Sequence, residues 1–194
     1  MNRIRVLGSS APRWVACAVA VLSLLGGGAV ADTDLGAGDR LATFGATALA
    51  RADVWYRQGL RYSQDECYRT AAGYTPTDWA GVLGGCHRPY YRADCSGFVS
   101  MAWDLPHSYP TPRPGGGTDL GDVTRVIDKS ELSAGDALVA PGRHVRLFER
   151  WTDRGQSRYL AYDFGSTPVK HREYTWGSPD DYSYTPVRYL RATG

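Results

Sequence analysis

Between Tyr90 and Trp103 a polar segment turns into an apolar one, and a single cysteine stands at the turn: Asp94-Cys95-Ser96-Gly97-Phe98-Val99-Ser100-Met101-Ala102-Trp103. Asp94 is a favourable N-cap, and Phe98, Val99, Ala102 and Trp103 fall on neighbouring turns of the helix that this pattern predicts. Cys95 then occupies the first turn. There the unpaired N–H groups and the helix dipole favour a thiolate over a thiol. A thiolate with a base beside it is the nucleophile of a hydrolase.

The N-terminus reads as an export signal. Arg3, Arg5 and Arg13 form a basic start, Val15 to Leu25 is apolar, and Ala29-Val30-Ala31 is a small-residue cleavage site before Asp32. Residues 1–31 are therefore expected to be a signal peptide. The apolar run is too short for a membrane anchor and is broken by Gly26-Gly27-Gly28. Residues 32–38 are expected to be a disordered leader, and residues 39–194 one domain. Removing the signal takes away three arginines and no acids, so the 22 basic residues of the chain become 19 against 20 acidic. A near-neutral chain of this kind carries no basic patch for nucleic acid. No stable membrane anchor is expected after cleavage, and the oligomeric default is a monomer.

Cys67, Cys86 and Cys95 remain in the mature chain, and an exported protein meets oxidising surroundings. A Cys67–Cys86 bridge would staple a polar, Gly-rich segment and leave Cys95 free, as a nucleophile requires. The other pairing, Cys86–Cys95, would leave the helix-start position of Cys95 without a purpose. No two cysteines have C-x-x-C spacing and no histidine pair has ligand spacing, so neither metal nor other cofactor is expected.

The periodicity predicts a helix from an Asp39 cap to about Arg57, with Leu41, Phe44, Ala48, Ala52 and Trp55 on one face. An irregular segment follows from Gly59 to about Ala93. After the Cys95 helix, a Pro- and Gly-rich loop leads to Thr118, which is expected to cap a short helix to about Ile127. Beyond Gly135-Asp136 the pattern becomes strand-like: 137–139, 144–151, a turn at 153–156, 158–164, 170–174 and 187–190. Helices first and an antiparallel sheet after make an α+β domain.

His144 is the expected base among His87, His107, His144 and His171. It opens a strand soon after the Gly135-Asp136 turn, where its ring can face a helix N-terminus; His171, on a later strand, is its competitor. A base needs an orienting group. Asp163 is the sole carboxylate on the returning strand and shares a face with Tyr159 and Ala161. Gln156 is next in line but sits in the turn. Tyr62, Asp94 and Ser96 are the expected substrate-binding residues, Asp94 serving first as a helix cap. The Cys95 backbone N–H is the expected oxyanion donor.

Asp94-Cys95-Ser96-Gly97-Phe98-Val99 followed by Trp103 resembles the nucleophile motif of the NlpC-type cell-wall peptidases, a papain-like cysteine peptidase group. Arg61-Tyr62-Ser63-Gln64 resembles that family's tyrosine segment. Leu132-Ser133-Ala134-Gly135-Asp136-Ala137-Leu138, then His144-Val145, resembles its Gly-Asp turn and histidine strand. The resemblance covers about Ala50 to Phe164. It implies a papain-like α+β fold, with N-terminal helices and the nucleophile helix packed on the antiparallel sheet. It also implies cleavage of γ-D-glutamyl bonds in peptidoglycan stem peptides by a secreted enzyme. Cys95 would be nucleophile, His144 base, Asp163 third residue and Tyr62 a substrate-site residue. The family more often has His, Asn or Gln at the third position, and its approach to the nucleophile is shorter than the segment carrying Cys67 and Cys86. Two other readings stay open: a wall- or protein-binding module without turnover, and a Cys–His amidase or acyltransferase with another substrate.

Overall fold

The computed structural model describes residues 35–69, 86–115 and 117–194, and the backbone of 76–79. The chain divides at Thr33/Asp34, and every described residue belongs to the unit Asp34–Gly194. The signal peptide expected over 1–31 and the start of the leader lie outside the described residues.

Helix α1 runs Ala37–Gln58. Ala48, Ala52 and Trp55 are its buried apolar positions, as the three- and four-residue spacing predicts. It starts three residues earlier than expected, capped at Gly36, with Asp39 inside its first turn and not at the cap. Ala37 is a good helix former, and an acid is favourable in the first turn. Gly59, in the left-handed conformation, closes the helix. Gly45 is buried because the helix lies against the turn before the main sheet. A Cβ there would sit 2.2 Å from the Ala134 carbonyl oxygen.

The segment read as irregular, 59–93, instead contains a three-stranded antiparallel sheet in the order β2-β1-β3. Its strands are β1 (Glu66–Arg69), β2 (Pro76–Trp79) and β3 (Tyr90–Arg92). Strands this short, interrupted by polar and aromatic residues, carry no alternation long enough to read. Cys67 and Cys86 are disulfide-bonded, with Cα atoms 5.8 Å apart, and Cys95 is free and buried.

Helix α2 (Cys95–Ala102) follows β3 directly and packs against α1 and β6 (His144–Trp151). The six-stranded antiparallel sheet has the order β4-β9-β5-β6-β7-β8. Its other strands are β4 (Thr124–Val126), β5 (Ala137–Ala140), β7 (Arg158–Asp163), β8 (Lys170–Thr175) and β9 (Thr185–Tyr189). The helix expected from Thr118 is only a 3-10 turn, Leu120–Val123, capped by Asp119. Thr124 and Val126 are β-branched, and Thr124–Val126 becomes β4 at the sheet edge. One side of the sheet meets the helices through Ala137, Val139, Val145, Leu147 and Tyr162. Leu138, Phe148, Tyr159, Ala161 and Tyr174 form a second core. The result is a mixed α+β unit with two helices and antiparallel sheets. No helix among the described residues is long and apolar enough to cross a membrane.

The Gly135-Asp136 turn is fastened from the far end of the chain. Gly135 takes a positive φ of 86°. Asp136, fully buried, accepts from Arg188 Nε at 2.8 Å, from Arg188 Nη2 at 2.7 Å and from the Ser133 backbone N–H at 2.8 Å. Arg188 also donates to the Glu131 carbonyl. Truncating one partner strands a buried charge. Asp136→Ala is expected to lower the unfolding free energy by about 3 kcal/mol, measured by urea denaturation.

Candidate active site

The approach to Cys95 is built around Asp94. Its carboxylate caps α2, accepting from Gly97 N–H at 2.7 Å, and pairs with Arg92 Nε at 2.5 Å. Arg92 Nη2 reaches Ser96 Oγ at 2.9 Å, and Ser96 Oγ donates to Asp94 Oδ1 at 3.2 Å. Gly97 lets the helix start this close to β3, since a Cβ there would lie 2.0 Å from the Arg92 carbonyl oxygen. Asp94 thus caps the helix as read from the sequence. It and Ser96 are buried yet line the Cys95 cleft.

Cys95 is 8 % exposed. The backbone N–H groups of Val145 and Ser96 point at its sulfur. Burial pushes the thiol up to about 12, and the Asp94 carboxylate adds to this. The two backbone donors and Arg92 oppose the rise without cancelling it. The helix start therefore does not make a thiolate by itself, contrary to the sequence expectation. Desolvation of the sulfur outweighs the donors gathered around it.

His144 is the first residue of β6, next to the Val145 N–H that faces the sulfur. Its Nε2 is 2.9 Å from Asp163 Oδ1. Asp163 is saturated. Oδ1 also accepts from Gly165 N–H at 2.8 Å, and Oδ2 accepts from Arg146 Nε at 2.8 Å and Tyr174 Oη at 2.9 Å. Burial alone would raise this carboxyl. The hydrogen bonds and charges of His144 and Arg146 outweigh burial and hold it well below the usual carboxylate range. Gly165 forms the floor beneath the ring, where a Cβ would come within 3.0 Å of His144 Cε1. With Nε2 committed to Asp163, Nδ1 is the nitrogen left for a proton from elsewhere. Among the described residues no hydrogen bond joins the Cys95 sulfur to this ring; the adjacency runs through the main chain at residues 144–145.

Tyr62 packs edge-on against Phe164, with ring centroids 5.6 Å apart, and its backbone N–H bonds Thr167 Oγ1 at 2.8 Å. Its phenol accepts from Gln64 Nε2 at 3.2 Å. Burial first, then the sulfur of Cys95 and the Asp94 carboxylate, raise its pKa, so the hydroxyl keeps its proton. His171 lies elsewhere. Its Nε2 meets Glu149 Oε2 at 2.6 Å and its ring stacks on Tyr162 at 4.0 Å.

Arg146, Tyr174 and Asp181 were not singled out from the sequence. Arg146 is 6 % exposed. Its guanidinium lies 3.7 Å from the Tyr174 ring centroid and 4.8 Å from that of Tyr184, and it pairs with Asp181 as well as Asp163. One signal was available: Arg146 is two residues from His144 on the same strand, hence on the same face. A cleft of about 320 Å³ surrounds Cys95, lined by Gln64, Asp65, Arg92, Arg113 and Arg143 among others. No group of three or more His, Cys, Asp or Glu side chains suited to a metal ion occurs among the described residues. No family model, no curated protein and no solved structure matches the chain.

Proposed function

We propose that this protein is an exported cysteine hydrolase of the NlpC type, on a papain-like arrangement, that cleaves γ-D-glutamyl bonds in peptidoglycan stem peptides. One observation carries the reading. The free thiol at the start of α2 lies against the Val145 N–H, and the neighbouring residue, His144, is held by a buried carboxylate kept ionised. Cys95, His144 and Asp163 follow one another in the chain order of a Cys–His–polar triad, and His144 meets Asp163 as base and third residue would. The Cys67–Cys86 disulfide supports an oxidising compartment.

In this mechanism His144 Nδ1 takes the Cys95 proton as the sulfur attacks the γ-carbonyl carbon. Catalytic hydrogen bonds that are long in the free enzyme tighten around substrate. The Cys95 backbone N–H and the Tyr62 hydroxyl stabilise the oxyanion. The C–N bond then breaks, and the leaving nitrogen takes the proton from His144. Water, deprotonated by the same ring, releases the acyl group and restores the thiol.

Purified protein lacking residues 1–31 is expected to split soluble muropeptides at the glutamyl bond, seen by mass spectrometry as two fragments that sum to substrate plus water. Intact muropeptides after prolonged incubation, or cleavage undiminished in Cys95→Ala, would overturn the proposal.

A further inference from the structure

Two arginines at the mouth of the Cys95 cleft form no ion pair among the described residues. Arg113 and Arg143 both line it and both are exposed. Neither forms an ion pair with any described residue. They flank one turn: a Cβ on Gly142, next to Arg143, would lie 3.7 Å from Arg113 Cβ. The third arginine of the cleft, Arg92, is neutralised by Asp94. The remaining acid, Asp65, enters from the segment before β1, beside Gln64. The three arginines of the cleft thus outnumber its two acids, Asp65 and Asp94, by one, and that excess positive charge favours an anionic ligand.

The position of Arg143 says which part of a substrate supplies that anion. Arg143 immediately precedes His144 and lines two adjoining cavities, the nucleophile's cleft and a second one with Ala140, Pro141, Asp181, Tyr182 and Ser183. Its guanidinium lies over the Tyr182 ring at 5.9 Å, and that ring is 5.9 Å from the His144 ring. Asp181, the carboxylate of the second cavity, is spent on Arg146. In acyl transfer to a thiol the base returns its proton to the departing nitrogen, so the leaving group sits on the histidine's side.

We propose that Arg113 and Arg143 form a carboxylate subsite on the leaving-group side of Cys95. The favoured substrates are peptides whose residue after the scissile bond bears a free carboxylate. This inference rests on the hydrolase reading for its orientation and on the unpaired arginines for its chemistry. Guanidinium presents paired donors that match a carboxylate, which an ammonium does not.

The test uses L-alanyl-γ-D-glutamyl-L-lysine, its C-terminal carboxamide, and the analogue amidated only at the glutamyl α-carboxylate. Binding to the Cys95→Ala protein is measured by calorimetry, and turnover by the unsubstituted enzyme by chromatography. The C-terminal carboxylate is expected to tighten binding about 10-fold over its carboxamide. Arg143→Gln and Arg113→Gln are each expected to remove most of that preference, raising KM with kcat little changed. Arg143→Lys should keep part of it. Amidation at the glutamyl α-carbon should leave the preference in place. Equal binding of acid and carboxamide, loss of the preference on glutamyl amidation, or no binding of any peptide would overturn the subsite. Binding with the stated preference but no turnover would overturn the hydrolase reading alone.

Discussion

His144→Ala is expected to slow stem-peptide cleavage by about 10⁴-fold while leaving the fold intact, and Cys95→Ala by at least as much. The size follows from the state of the sulfur. Burial and Asp94 push its pKa up to about 12 against an ordinary 9.0, so the sulfur rests protonated near neutrality and its attack depends on a base that takes the proton as it reacts. The same dependence is visible without substrate. Alkylation of Cys95 by iodoacetamide near pH 7.5 should be at least about 10-fold slower in His144→Ala than in the native protein. In that variant the rate should keep climbing past pH 9, because the thiol then titrates alone. Equal alkylation rates at neutral pH in the two proteins would remove His144 from the role of base. The double substitution should be little worse than either single one, since the pair acts as a unit.

Asp163→Asn should cost both activity and stability, although it preserves shape. Each carboxylate oxygen receives two donors: His144 Nε2 and Gly165 N–H on one, Arg146 Nε and Tyr174 Oη on the other. An amide must turn its NH₂ toward one of these pairs. Facing His144 and Gly165, it opposes the Gly165 N–H and makes Nε2 an acceptor, which moves the ring proton to Nδ1 and blocks proton uptake from the thiol. Facing Arg146, it sets a donor against a buried guanidinium. A fall in kcat of about 10³-fold is expected, with a loss of about 3 kcal/mol in urea denaturation. The pH dependence gives a further check. The folded-state pKa of Asp163 lies below its ordinary 3.8, so its contribution to stability is present above that value and disappears as pH falls below it. The stability gap between native protein and Asp163→Asn should therefore narrow below about pH 3.8. A gap that widens in acid would contradict the assignment.

Much of the site was legible because its parts announce themselves locally. Asp94 at a helix cap, Cys95 after it and the β6 boundaries at His144 and Trp151 follow from capping and alternation within a few residues. Asp163 was harder. A bulge between Phe148 and Arg150 shifts the hairpin, so Asp163 stands opposite Arg146 and reaches His144 diagonally. No spacing rule foretells a bulge. Arg146, Tyr174 and Asp181 converge from three separate stretches, and a strand arginine among tyrosines reads like any half-exposed position. The sheet of β1, β2 and β3 escaped for a different reason: strands of three or four residues hold too few alternations to distinguish them from loop. The ionisation of the thiol also depends on tertiary surroundings. A helix start favours the anion, but how deeply the sulfur is buried decides the balance.

Arg146 has one consequence that reaches the surface. A single guanidinium neutralises Asp163 inside and Asp181 on the segment that carries Tyr182 and Tyr184. That outer wall cannot swing away without uncovering the cation that Asp163 leans on. Access to the second cavity and alignment of the His144 ring are thereby tied to one hinge pin, and under the proposed mechanism damage to the wall would be felt at the imidazole from a distance.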